Sequence, residues 1–167
     1  MLRVAFICLS TFLLATTANA QNAKQIESVS KGKSCVNCNL FQADLSNYEL
    51  PGLNLSGSRL RQSNLALAQM NGCNFSGADL SIAYMFGGRF TGSNFKNTNL
   101  ERASLVGTYF GHANLTGASL KDAVISGAEM ENVIGLTQAQ LDLACGDETT
   151  KLPAGLSVKK CTPKNSN

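Results

Sequence analysis

From residue 38 to residue 132 the chain divides into nineteen consecutive blocks of five with no insertion, and the middle residue of every block is Leu, Met, Phe or Ile. The series begins Leu40, Leu45, Leu50 and runs through Met70, Phe75, Phe90, Phe95 and Phe110 to Ile125 and Met130. Two positions before each centre the residue is mostly small, as at Ala43, Ser58, Ala78, Gly88, Thr98 and Ala123. Two positions after it Gly is commonest, as at Gly52, Gly72, Gly92 and Gly117.

A helix repeats its apolar face every 3.6 residues and a strand every two, so neither accommodates a period of five. A short extended side followed by a tight turn does. Gly after the centre supplies the positive φ that a type II turn requires, and four such bends close a square coil.

The texture of Ala43-Asp44-Leu45-Ser46-Asn47, Ala78-Asp79-Leu80 and Ala113-Asn114-Leu115-Thr116-Gly117 resembles the pentapeptide-repeat family. The resemblance implies an all-β fold, a right-handed quadrilateral β-helix with the centre and the small residue before it pointing inward. Coils stacked at about the ordinary interstrand spacing of 4.8 Å would pair each side with its neighbours above and below. Residues twenty apart then stack. Phe90 falls over Phe110 and Phe75 over Phe95 inside, while Asn54, Asn74, Asn94 and Asn114 form an outer amide ladder of structural character. Tyr48 and Leu53 break the small-residue rule in the first coil, where an open end tolerates bulk.

Ahead of the repeats, Arg3, the apolar run from Val4 to Leu14 and the small-x-small pattern Ala18-Asn19-Ala20 read as a secretory signal over residues 1–20. The apolar run is too short to span a bilayer, which takes about twenty residues, so cleavage before Gln21 is expected and no membrane span after it. Residues 21–37 read as a polar segment. Export to an oxidising compartment leaves Cys35, Cys38, Cys73, Cys145 and Cys161. Cys73 holds an inward position and is expected free and buried. Cys145 and Cys161 are the leading pair for a disulfide, closing a loop worth roughly 3 kcal/mol. Cys35-Val36-Asn37-Cys38 invites a redox reading, but no βα unit accompanies it. A local structural bridge fits better, and zinc less well, for want of four converging ligands.

Residues 133–167 form a cap and tail. Thr137 as N-cap, Gln140 completing a capping box and a Leu136–Leu141 staple start a helix that Gly146 ends, with Leu141, Ala144 and Cys145 on one face. The stretch through Lys151-Leu152-Pro153 also resembles a segment that follows the coils in many bacterial members of the family.

No catalytic constellation appears. His112 is the only histidine and falls at a turn, no nucleophile elbow or phosphate loop is present, and neither a cofactor nor a metal is expected. The repeats carry six basic and seven acidic residues, so no phosphate-tracking stripe emerges and no nucleic-acid partner is expected. Lys24, Lys31 and Lys33 before them, and Lys151, Lys159, Lys160 and Lys164 after them, read as solvated flanks.

The best-known activity the resemblance implies is mimicry of DNA towards type II topoisomerases, which confers quinolone resistance. A near-neutral, exported solenoid argues against it. What stands out is an outward apolar cluster, with Ala66, Phe86 and Val106 in one column, Tyr84 and Val124 in the next, and Leu67 and Ile82 nearby. The expectation is a non-enzymatic, secreted or periplasmic scaffold that displays Leu67, Ile82, Tyr84, Phe86, Val106 and Val124 to an unknown protein partner or to a second copy of itself. Topoisomerase mimicry and a purely structural envelope role are the alternatives.

Overall fold

The computed structural model describes residues 21–162. The signal at 1–20 and Lys164 lie outside the described residues. Parallel bridges join residues twenty apart throughout the repeats, from Asn39↔Arg59 and Asp44↔Asn64 to Ser104↔Val124 and Asn114↔Ile134. Every fifth residue from Asn37 to Gly127 has positive φ. Five residues per side and twenty per lap make a four-sided coil. We number its sides by their first centres: Leu40 on the first side, Leu45 on the second, Leu50 on the third and Leu55 on the fourth.

Each side is only three residues long, so its pairing reduces to a repeated set of bonds. On the first side Arg59 N–H donates to Cys38 O at 2.8 Å, Leu60 N–H to Asp79 O at 2.7 Å and Gln62 N–H to Ser81 O at 3.0 Å. The turn closes on itself, with Ala43 N–H donating to Leu40 O at 3.0 Å. Negative φ at the first turn residue and positive φ at the second is the type II pattern.

Every block centre is buried. Phe75 stacks on Phe95 at 4.9 Å and Phe90 on Phe110 at 5.9 Å, and the two columns meet edge-on, Phe95 to Phe110 at 5.4 Å. Gly88 makes room for this cluster: a Cβ there would lie 2.7 Å from Phe90 Cε2. Inward hydroxyls other than that of Ser63 donate to backbone carbonyls. Ser93 Oγ donates to Met70 O at 2.8 Å and Thr98 Oγ1 to Phe75 O at 2.7 Å. Of the two bulky exceptions in the first coil, Leu53 is buried, while Tyr48 turns out to solvent.

The segment 21–37 is more ordered than its polarity implies. It holds helix α1, Ala23–Ser30, capped by Asn22, whose side chain accepts from Gln25 N–H at 3.2 Å. Val29 is fully buried against the first coil and Ile26 packs beside it. Gln25 Oε1 accepts from Asn39 N–H at 2.8 Å, occupying a backbone donor at the open end. Phe41 lies beneath the Arg59 guanidinium at 4.5 Å.

At the other end the expected capping box forms between Thr137 and Gln140, but helix α2 is only Gln138–Leu141 and does not reach Gly146. The uncovered edge of the last coil claims the chain instead. Asp122 N–H donates to Leu143 O at 2.7 Å, Ile125 N–H to Cys145 O at 2.8 Å and Cys145 N–H to Ala123 O at 3.0 Å. Cys145 is therefore part of the stack, not of a helix face. Gln140 Nε2 donates to Leu115 O and Ala118 O at 2.9 and 2.8 Å, so the helix side chain plugs carbonyls that no coil covers. Among the described residues no helix is long and apolar enough to cross a membrane.

Asp147 organises the turn after α2. Its carboxylate accepts from Thr149 Oγ1 at 2.6 Å, Thr149 N–H at 2.9 Å and Gly127 N–H at 3.3 Å. The Thr149 hydroxyl is the main cause that holds its pKa down at about 2.

Two outcomes follow. Gly88→Ala lowers unfolding free energy in urea by about 1–3 kcal/mol, through overpacking against Phe90. Asp147 is more acidic folded than the ordinary value of 3.8, so its contribution is complete above that pH and disappears as pH falls through about 2. Thermal melts of the wild type should accordingly lose more midpoint between those two pH values than melts of Asp147→Asn.

Candidate interaction surface

Side chains flanking each centre point outward, so every side of the coil presents two columns plus a corner. On the fourth side the amide ladder forms, with Asn74 Nδ2 donating to Asn54 Oδ1 and Asn94 Nδ2 to Asn74 Oδ1, both at 3.2 Å. Each amide oxygen also accepts from the backbone two residues on, as from Ser76 N–H and Thr116 N–H at 3.0 Å. The ladder's oxygens are used internally, leaving a polar side already satisfied.

The second side is different. Tyr84 and Phe86 are 48% and 42% exposed, and their rings lie parallel with centroids 6.1 Å apart. Leu67, at 51% exposure, reaches across the next coil's corner: a Cβ on Gly87 would meet Leu67 Cδ2 at 2.8 Å. These three form one patch in the middle coils. Ile82 and Val106 are half-buried at its margins. Val124 is drawn away, bridged to Cys145 and lining a cavity beneath the carboxyl-terminal tail. The other exposed large apolar residues, Val36, Tyr48, Ile134 and Leu143, lie towards the two ends.

Backbone conformation marks the same region. Glycine or Asn fills most left-handed corners, but the corner after the first side carries Gln42, Gln62, Ile82, Arg102 and Asp122, all at φ between 54° and 60°. Leu67 adopts 57° on the following corner, and Ile82, at 59°, is β-branched. Left-handed backbone costs a residue with a Cβ about 1 kcal/mol or more, and a β-branched one is an outlier there. The patch thus keeps two bulky apolar side chains where glycine would be easier.

The cysteines take no part in the patch. Cys35 is bonded to Cys38 and Cys145 to Cys161. Cys73 is free and buried, its thiol donating to Leu50 O at 3.1 Å and accepting from Leu53 N–H at 3.3 Å. Burial pushes that thiol's pKa up, away from the reactive thiolate. His112 is an exposed turn residue at φ 58°. Among the described residues no group of three His, Cys, Asp or Glu side chains converges as a metal site.

The pattern described as pentapeptide repeats matches in eight copies over residues 38–77, 89–122 and 103–134. The chain belongs to the pentapeptide-repeat family. No curated protein matches it. Among solved structures it is similar to HetL, a pentapeptide repeat protein involved in heterocyst differentiation regulation from the cyanobacterium Nostoc sp. strain PCC 7120. The two are 23% identical over 76% of this chain and 60% of HetL, with a TM-score of 0.42. A pentapeptide repeat protein of the Arabidopsis thaliana thylakoid lumen is 27% identical over 74% of this chain and 85% of its own, with a TM-score of 0.36. QnrB1, a plasmid-mediated fluoroquinolone resistance protein, is 19% identical over 78% of this chain and 81% of its own, with a TM-score of 0.39.

Beside the patch the structure places residues that the sequence reading passed over. Arg61, Ser81 and Arg102 line a cavity that shares Ile82 with the patch margin. The signal for this corner was present: stacking by twenty gives 42, 62, 82, 102 and 122, a turn column without a single glycine.

Strain at the patch margin is testable. Ile82→Gly should leave the urea midpoint unchanged or raise it, since relief of the left-handed backbone offsets the entropy of glycine. Ile125→Ala, at a buried centre, should cost about 2–5 kcal/mol.

Proposed function

We propose that this pentapeptide-repeat protein is a non-catalytic, exported binding module. It is a right-handed quadrilateral prism that holds Leu67, Tyr84 and Phe86 rigidly for a protein partner. The observation carrying this reading is the contiguity of those three exposed apolar side chains on one flat side, flanked by Leu67 and Ile82 backbone that is kept in a costly conformation. Strain retained beside an exposed surface is expected where side-chain identity matters more than stability. Flat solenoid sides change little on binding, so affinity comes from a preorganised surface.

Export is supported by the leader-like features of residues 1–20 and by two disulfides at the solenoid ends, which persist in oxidising compartments. The near balance of charge on the repeats disfavours topoisomerase mimicry, which needs a surface of DNA-like negative charge. A structural envelope role would leave no reason for an apolar patch on one side alone.

Partner capture from the native compartment tests the reading. Wild type and Lys96→Asp, altered on the opposite fourth side, should retain the same specific partner, while Phe86→Asp and Tyr84→Ala lose it. As a surface change, Phe86→Asp should alter stability by no more than about 0.5 kcal/mol. Light scattering addresses a second copy as partner: a dimer that Phe86→Asp converts to monomer identifies the partner as the chain itself. Capture equal in all four proteins removes the proposal.

A further inference from the structure

The second side does not stop with the repeats. Bridges run along it from Asp44 through Asn64, Tyr84, Ser104 and Val124 to Cys145, and a further bridge, Gly146↔Lys160, extends it by one more step. Within the repeats, Asp44 is the only charged residue on its two outward columns, the second of which reads Ser46, Ala66, Phe86, Val106 and Ser126. Every other side carries charge in its middle coils, as at Arg61 and Glu101 on the first, Arg89 on the third and Lys96 on the fourth. A face emptied of charge over this length suits another face of the same kind, since neither has an ion to desolvate.

Shape along the side is uneven in a way that a copy can match. The Tyr84 and Phe86 side chains project, at 48% and 42% exposure. Two laps further on, a cavity of about 650 Å³ has Val124, Leu143, Ala144 and Cys145 on its wall, and Leu143 is 52% exposed, so it is reached from outside. Ser104 lies midway, bridged to Tyr84 above and Val124 below. A second copy turned end for end, about an axis through Ser104 and perpendicular to the stack, therefore brings each Tyr84 to the other's Val124. Each copy then fills the other's cavity, the reciprocal contact that an isologous pair requires. The following corner carries glycine at 87, 107 and 127, which leaves no side chain there to hold the copies apart.

Charge selects the same direction. Asp44 stands at the amino end of the side, its carboxylate accepting from Ser46 Oγ at 2.7 Å and Ser46 N–H at 3.0 Å. The exposed Lys159 and Lys160 stand at the other end, on the cavity wall. Reversal sets acid against base at both ends, whereas two copies running the same way would set lysine against lysine. Lys160 pairs with Glu148 at 3.2 Å, but those side chains are 77% and 73% exposed, and such a pair exchanges at little cost. Arg102 and Asp122, also on the wall, have opposite signs on successive laps of one corner, so that corner meets its copy without net charge.

We propose that the partner of this face is a second copy of the chain, packed antiparallel through the second side with Tyr84 of each seated in the cavity of the other. This rests on the reading of that side as a protein-binding surface. From Asp44 to Lys160 the side is about 29 Å long at about 4.8 Å per lap. On so narrow a prism that offers less than the roughly 800 Å² per partner of a standard complex, so the pair is weak and forms with concentration.

Sedimentation velocity of the purified, disulfide-bonded protein from about 10 µM to about 500 µM, the range of a weak contact, is the test. Wild type should pass from monomer to dimer across that range. Leu143→Trp fills the cavity from an exposed side chain, so it should keep the fold and remain monomeric throughout. Tyr84→Ala should do the same from the other half of the contact. Asp44→Lys and Lys160→Glu should each weaken the dimer about tenfold, because a twofold pair feels every substitution twice, and the double variant should recover it. The column of Asp44 accepts Asn, Tyr, Ser and Val on later laps, so its substitution should leave the thermal midpoint in place. A wild type monomeric at every concentration, a dimer indifferent to Leu143→Trp, or a double charge variant no better than the singles would each overturn the proposal. In that event capture still decides the surface reading, because a different protein retained by Leu143→Trp and lost by Phe86→Asp upholds it.

Discussion

The structure depends on one repeated bargain between backbone and core. Every lap of twenty residues hands its N–H and C=O groups to the laps above and below, and this register holds only while each block's centre fills the same inward position. Shift the chain by one residue and a polar side chain enters a column of Leu and Phe while a centre faces water. The bonding and the packing therefore enforce each other along the whole prism. This is why so narrow a cross-section, with small residues at the second inward position, still excludes water completely around Phe75, Phe90, Phe95 and Phe110.

Where that mutual enforcement operates, the fold is readable from residues alone. The block centres, the turn positions and the stacking of Phe90 on Phe110 all follow from a period of five and a lap of twenty. It is at the ends that reading becomes harder. Helix α1 has only Ile26 and Val29 to mark its buried face, too few to establish a helical period in eight residues. Helix α2 begins where its capping box says, but its expected length ignored the competing claim of the last coil's unpaired groups, which pull Leu143 and Cys145 into the stack. Local propensity lost to an edge that needed covering.

Surface features divide the same way. The apolar patch was visible because stacking arithmetic puts Tyr84 and Phe86 on one side. Val124 belongs to the same arithmetic but is captured by the tail, whose path no periodicity describes. Arg61, Ser81 and Arg102 could be located on the coil from sequence, yet the cavity they line emerges only when the neighbouring side chains have positions. The absence of glycine from their corner was the available hint.

The placement of the two disulfides carries a kinetic meaning. A linear stack opens by fraying, because an outermost lap has a neighbour on one face only, while an interior lap must break both contacts at once. Cys35–Cys38 clips the first lap and Cys145–Cys161 the last. The middle, where Cys73 stays reduced, needs no clip. With a covalent bridge at each frayable end, local opening there is restricted, and resistance to proteases becomes a property of the termini more than of total stability.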